Sequence, residues 1–159
     1  MSQQLLDKVV KKFEEFAGPD VVVESKINFE EPFLVIDSEH WTLPMAELLH
    51  NDPELRFNFL CCLTGVDYKE HMEVVYNFHS LDLDHYLCLK VKMARSNPKI
   101  ISTQPVWNTA DWHEREAYDL LGIEFEGHPN LSRILLEDDW EGHPLRKDYT
   151  FDKKAMGLS

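Results

Sequence analysis

Glycine is scarce in this chain, six residues in 159, and no glycine-rich run of the kind that cradles phosphate is present. Nor is there a Gly-x-Ser-x-Gly elbow to raise a nucleophilic serine, so neither nucleotide chemistry nor serine hydrolysis has its usual signature. Cysteine is scarcer still. Cys61, Cys62 and Cys88 include no CxxC pair, which excludes a zinc knuckle or an iron–sulfur cluster built from this chain alone. All three lie in apolar, alternating stretches and are expected to be buried, reduced thiols in strands. No run of about 18 apolar residues exists, so no transmembrane helix is expected. The first residues, MSQQLLDKVVKKFEEF, mix charges into their apolar stripe and lack the apolar segment of a signal peptide, which points to the cytoplasmic side. Positive charge is also short. The formal net charge of −13 repels phosphate backbones and anionic headgroups, which excludes nucleic acid and direct membrane insertion as partners.

What is present reads first as an α+β domain over residues 1–108. Leu5, Leu6, Val9, Val10, Phe13 and Phe16 recur at helical spacing between Ser2 and Ala17, before Gly18-Pro19. Short strands are expected at Val21–Glu24 and Phe33–Ile36, separated by a polar stretch and Pro32. A second helix is expected over Thr42–Asn51, ended by Asp52-Pro53. Three stretches rich in aromatic and β-branched residues follow. In them Met72, Val74, Tyr76 and Phe78, then Leu87, Leu89, Val91 and Met93, alternate as in an antiparallel sheet with one wet face. Ser80–Asp84 suits a hairpin loop, and Lys99–Ile101 is a further short apolar run.

Residues 109–125 hold a helix, from Thr109 to Leu121 with Gly122 at its C-terminus, and a short strand. On a helical wheel Glu114 falls inside the apolar arc, between Leu121 and Tyr118, where an unpaired charge costs several kcal/mol. Asp111, Arg115 and Asp119 form an i, i+4 ladder on the far side, with Trp112 and Glu116 beside it. The helix alone leaves two further readings open: Glu114 reaching solvent at the arc's edge, and Trp112 covered by its own chain.

After Phe125 periodicity stops. Residues 126–159 carry too many large apolar groups (Leu131, Ile134, Leu135, Leu136, Trp140, Tyr149, Phe151) for a disordered tail, and read as an extended strap lying against this domain, a partner, or both. The strap contains EGHP twice, Glu126–Pro129 and Glu141–Pro144, each followed by an arginine, Arg133 or Arg146. As metal ligands, His128 and His143 with Glu137–Asp139 lack the spacing that aims two ligands at one ion from a helix or strand. As scaffolding the motif explains more: glycine turns the chain, proline fixes its exit, histidine bonds backbone or carboxylate, and arginine pairs with Glu114, Glu116 or a carboxylate on a partner.

From Trp107 to Tyr149 the sequence ADWHEREAYDLLGIEFEGHPNLSRILLEDDWEGHPLRKDY and its flanks resemble the signature region of the 30 kDa subunit of respiratory complex I, the proton-pumping NADH:quinone oxidoreductase. The resemblance implies a structural subunit of the hydrophilic arm, without a catalytic site or redox cofactor of its own. NADH, flavin, iron–sulfur clusters and quinone would be bound elsewhere. It implies docking on the 49 kDa quinone-site subunit, peripheral to the membrane on its cytoplasmic side. Trp112, Glu114, Arg115, Glu116, Asp119, His128, Pro129, Arg133, His143, Pro144 and Arg146 would form the interface and its support. Two alternatives stand beside it: a homologous subunit of a membrane-bound hydrogenase, formate hydrogenlyase or F420H2 dehydrogenase, and a free-standing metal-dependent enzyme using His128 and His143.

Overall fold

The computed structural model describes residues 2–153; Met1 and the last part of the strap, 154–159, lie outside the described residues. The chain runs α1 (Ser2–Ala17), β1 (Val22–Asn28), β2 (Glu31–Asp37), α2 (Leu43–Asn51), β3 (Phe59–Asp67), β4 (His71–Ser80), β5 (His85–Ala94), β6 (Lys99–Ile101), α3 (Ala110–Leu121) and β7 (Glu124–Glu126). Five strands form one sheet in the order β1-β2-β5-β4-β3. Three pairings are antiparallel, and only β2 with β5 is parallel. The α+β class and the antiparallel pairing of β4 with β5 agree with the alternation, and the parallel β2–β5 pair makes the sheet mixed.

The alternating residues of β4 and β5 all face one side. Met72, Val74, Tyr76 and Phe78 meet Leu87, Leu89 and Val91, each at most 1% exposed. Leu6, Val9 and Phe13 of α1, Met45, Ala46 and Leu49 of α2, and Ala110, Ala117 and Leu121 of α3 close over that side in one core. Burying a side chain of this size stabilises the fold by about 1.5–3 kcal/mol. Thr42 caps α2, its hydroxyl accepting the Met45 N–H at 3.4 Å.

Two expectations are corrected here. The strands flanking Pro32 are one long hairpin, with Ile27 opposite Pro32 inside it. Its two-residue turn, Phe29-Glu30, takes positive φ at both positions (50° and 69°) without glycine or asparagine, so the usual hairpin signal is missing. The cysteines do lie in strands but are not buried: Cys61 is exposed, and Cys62 and Cys88 are half-buried. Cys62 and Cys88 both pair with Asn77, on the sheet face opposite the core residues. A register shift between Leu60 and Cys62 leaves Cys61 without a strand partner at the sheet edge.

β6 and β7 pair in parallel, Ile100 opposite Phe125, and both residues are 2% exposed. The β6–α3–β7 passage thus clamps α3 against β3. Beyond Glu126 no further helix or strand occurs among the described residues.

Candidate functional site

Three buried carboxylates organise the region from α3 onward. Glu114 is fully buried, as its place in the apolar arc predicts, but its partners are not the strap arginines. Ser102 donates its hydroxyl to Oε2 at 2.6 Å, and Thr103 donates its backbone N–H at 2.7 Å and its hydroxyl at 3.1 Å to Oε1. His128 Nε2 lies 3.9 Å away. Burial pushes the Glu114 carboxyl above its ordinary range, against the opposing pull of these donors and of His128. A carboxylate in the interior is therefore met by the loop after β6, and no arginine is required.

Asp119, expected on the wet side of α3, is also fully buried. The strap crosses over it. Oδ2 accepts three consecutive strap N–H groups, from Ile134, Leu135 and Leu136, at 3.1, 2.8 and 2.9 Å. Oδ1 accepts from Arg133 at 2.8 Å. Burial would raise the Asp119 carboxyl, but the Leu136 and Leu135 amides, Arg133 and the Ile134 amide together hold it below its ordinary value. The expected Asp111–Arg115–Asp119 ladder does not form. Arg115 instead donates to the carbonyls of Ser132 and Arg133, both at 3.2 Å, and lies over the Trp112 ring.

The third carboxylate is not among the residues that the sequence singles out. Asp67, at the end of β3, takes a two-pronged bond from Arg95, 2.8 Å to Oδ1 and 2.9 Å to Oδ2. It also accepts the Lys69 N–H and, from the strap, the Lys147 N–H at 2.9 Å. Arg95 reaches on to Asp148 at 2.8 Å. Chiefly through Arg95, and against burial, the Asp67 carboxyl is held well below the usual carboxylate range. A signal was available: Leu63, Gly65 and Asp67 share the inward parity of β3, so alternation itself aims this carboxylate at the interior.

The two EGHP segments grip opposite ends of α3. Gly127 and Gly142 adopt φ of 82° and 81°, the left-handed turn that glycine allows. His128 donates from Nε2 to Asp111 (3.0 Å to Oδ1, 3.3 Å to the carbonyl) while its Nδ1 accepts the Asn130 N–H. Those partners fix the proton on Nε2. His143 donates from Nδ1 to the Asp119 carbonyl at 3.0 Å. Arg133 joins Asp119 to the Trp140 carbonyl, and Arg146 donates to the Leu121 carbonyl at 2.7 Å, satisfying the last turn of the helix. Neither arginine bonds Glu114 or Glu116.

The histidines are thus held apart, His128 at the first turn of α3 and His143 at the last. Among the described residues no three His, Cys, Asp or Glu side chains gather as a metal-ligand group. Pro129 is exposed, Pro144 partly so, and each follows its gripping histidine. Of the named signature residues, Trp112 and Glu116 face solvent on α3.

Residues 34–155 match the family model described as the respiratory-chain NADH dehydrogenase 30 Kd subunit, and the chain belongs to that family. It is similar to the C subunit of the NADH-quinone oxidoreductase of Chlorobium phaeobacteroides, 43% identical over 143 residues that cover 87% of this chain and 86% of that protein. The corresponding protein of Chloroherpeton thalassium is 44% identical over 141 residues, and there the match covers 87% of this chain and 59% of the relative's length. In solved structures, the trypsin-resistant fragment of Nqo5 superposes with a TM-score of 0.63 at 28% identity, covering 77% of this chain and 99% of the fragment. A chain of the membrane-bound sulfane sulfur reductase, an archaeal respiratory membrane complex, shares the fold with a TM-score of 0.73 at 23% identity over 96% of this chain and 91% of that one.

Proposed function

We propose that this chain is a structural, non-catalytic subunit of a membrane-associated NADH:quinone oxidoreductase of the complex I type. It docks on the 49 kDa quinone-site subunit through α3 and the strap, and it serves electron transfer by holding the hydrophilic arm in shape. It binds no flavin, iron–sulfur cluster, NADH or quinone itself. It lies peripherally on the cytoplasmic side, and no helix among the described residues is long and apolar enough to cross a membrane. The observation that carries this reading is the family match over residues 34–155. The geometry adds support. Glu114, Asp119, His128, Arg133, His143 and Arg146 of the signature are engaged in fastening backbone, so their contribution is positional.

The test is affinity purification of the tagged chain from membranes of its own cells under mild detergent, with mass spectrometry of what accompanies it. A quinone-site subunit recovered with NADH-input and membrane subunits is the expected result. Recovery of the chain alone would overturn the reading. The fold it shares with a chain of the sulfane sulfur reductase complex supports a second reading, a related membrane-bound machine with another electron donor. The electron-input subunits that copurify decide between the two.

A further inference from the structure

α3 is enclosed by its own chain on almost every side. Ala110, Glu114, Ala117 and Leu121 are buried, and Asp119 is buried beneath the strap. The stripe left open is Trp112 and Glu116, one turn apart, with Trp112 62% exposed. Two hollows flank it and share His113 and Glu116 in their walls. One, of about 210 Å³, is bounded by Trp112, Ile134 and Leu135, and the other lies between Leu63 and Leu145. Leu135 and Leu145 are themselves 63% and 59% exposed. A tryptophan and two leucines lining one furrow make the kind of apolar patch that marks an interaction site.

The charges around the furrow say what kind of neighbour it suits. Arg115, Arg133 and Arg146 all turn inward onto strap or helix acceptors. The carboxylates turn outward: Glu116 in the furrow, and Glu137, Asp138 and Asp139 on the turn that follows Leu136, are exposed and without an ionic partner among the described residues. The three arginines are thus engaged by acceptors within the chain, and an acidic, apolar strip is left outside. A second copy of the chain would set carboxylate against carboxylate, and anionic lipid or nucleic acid would be repelled in the same way.

We infer that this furrow docks a protein neighbour whose contacting face presents an arginine or lysine between apolar side chains, the cation pairing with Glu116 and the apolar groups covering Trp112 and Leu135. The inference rests on the chain being a subunit of a larger complex.

The test compares the purified chain with the intact complex isolated from membranes. Exposed carboxylates are labelled with a water-soluble carbodiimide and glycine ethyl ester and mapped by peptide mass spectrometry. Glu116 is expected to be labelled in the free chain and at least fivefold protected in the complex; equal labelling overturns the proposal. In parallel, tagged Glu116→Arg and Trp112→Ala chains are expressed in cells lacking the native copy. Both should recover neighbouring subunits at least tenfold less well than wild type, while Glu116→Gln retains more than Glu116→Arg. Glu116 is exposed on the helix, so circular dichroism of the arginine variant should match wild type. If wild type recovers neighbours and Glu116→Arg recovers them equally, the furrow proposal fails alone. If wild type recovers none, the reading of the chain as a respiratory subunit fails with it.

Discussion

The sheet and the strap are held in place by opposite means. In the sheet and its helices, Leu34, Ile36, Tyr76, Phe78 and Leu89 exclude water from one continuous apolar core, a non-directional force spread over many contacts. From Glu126 onward the chain has no core of its own and is fastened at points: Asp119 to three amides and Arg133, Asp67 to the Lys147 amide, and His128 and His143 to the two ends of α3. Losing one core side chain weakens the whole sheet, whereas losing one fastening point releases a local stretch of strap. Point fastening, however, fixes backbone position without an apolar face, so the strap's outer side chains remain available to a neighbour.

The largest expected effect lies in the sheet. Leu89→Ala should lower global stability by about 4 kcal/mol, from lost transfer free energy and a residual cavity, read as a fall in the midpoint of denaturant unfolding. Cleavage of the strap by trypsin under native conditions should change little. If the strap loosens in step with the sheet, the two regions are one cooperative unit and the contrast between them fails.

Asp119→Ala should do the reverse. It leaves Arg133 and three strap amides without their shared acceptor, a cost of about 3 kcal/mol for a broken buried pair. That raises the open population of the strap roughly a hundredfold. Trypsin should then cut after Arg133 far faster, while the sheet's unfolding midpoint moves much less. Unchanged cleavage would mean that the histidine grips suffice.

Acid should separate the regions without mutation. Asp67 and Asp119 have folded-state pKa values below their unfolded ones, so their contribution is complete above the ordinary carboxylate pKa of about 3.9 and is lost as pH falls through the folded values. Glu114 has the opposite sign: raised by burial, it weighs against folding at neutral pH, and that cost is relieved as pH falls through its folded value. Below about pH 4 the amides of Ile134, Leu135, Leu136 and Lys147 should therefore exchange with solvent before those of β4 and β5. Simultaneous loss of protection would show that the carboxylates do not control the strap.

Legibility in the sequence follows the same division. Period-two alternation displays the strands of the sheet, because one face is buried and the other is wet. The β1–β2 hairpin reads as two separate strands only because Phe29-Glu30 carries no turn residue. The family resemblance is legible in the signature, yet the site's wiring is not. A helical wheel assumes a single buried side, whereas α3 has two, the sheet on one and the strap on the other. The wheel therefore sends Asp119 to solvent and leaves Glu114 as the acceptor for Arg133. Periodicity cannot register a covering segment that has no period of its own.

Gly122→Ala tests the joint between the regions. At φ 73° a side chain is strained, and a Cβ there would stand 2.6 Å from the His143 ring and 2.9 Å from the Arg146 guanidinium. A cost of about 2 kcal/mol is expected, with the second EGHP grip displaced and the first intact. Faster cleavage after Arg146 and Lys147 than after Arg133 would report this, and equal acceleration at all three would contradict it.

The smallest effect should come from Arg146→Ala. Had Arg146 paired a buried carboxylate, its removal would strand that charge and cost several kcal/mol. Its acceptor is instead the Leu121 carbonyl at the end of α3, one of the groups every helix leaves open and that water can reach once the side chain is gone. A charge-assisted bond to a neutral carbonyl contributes about 1.5–3 kcal/mol, and water bonding the freed carbonyl recovers a good part of it, so about 1 kcal/mol is expected in the unfolding midpoint. Arg133→Ala, which uncovers Asp119, should cost about three times as much. Equal losses from the two variants would mean that the two EGHP–arginine segments are energetically alike and that Asp119 is not the point on which the strap turns.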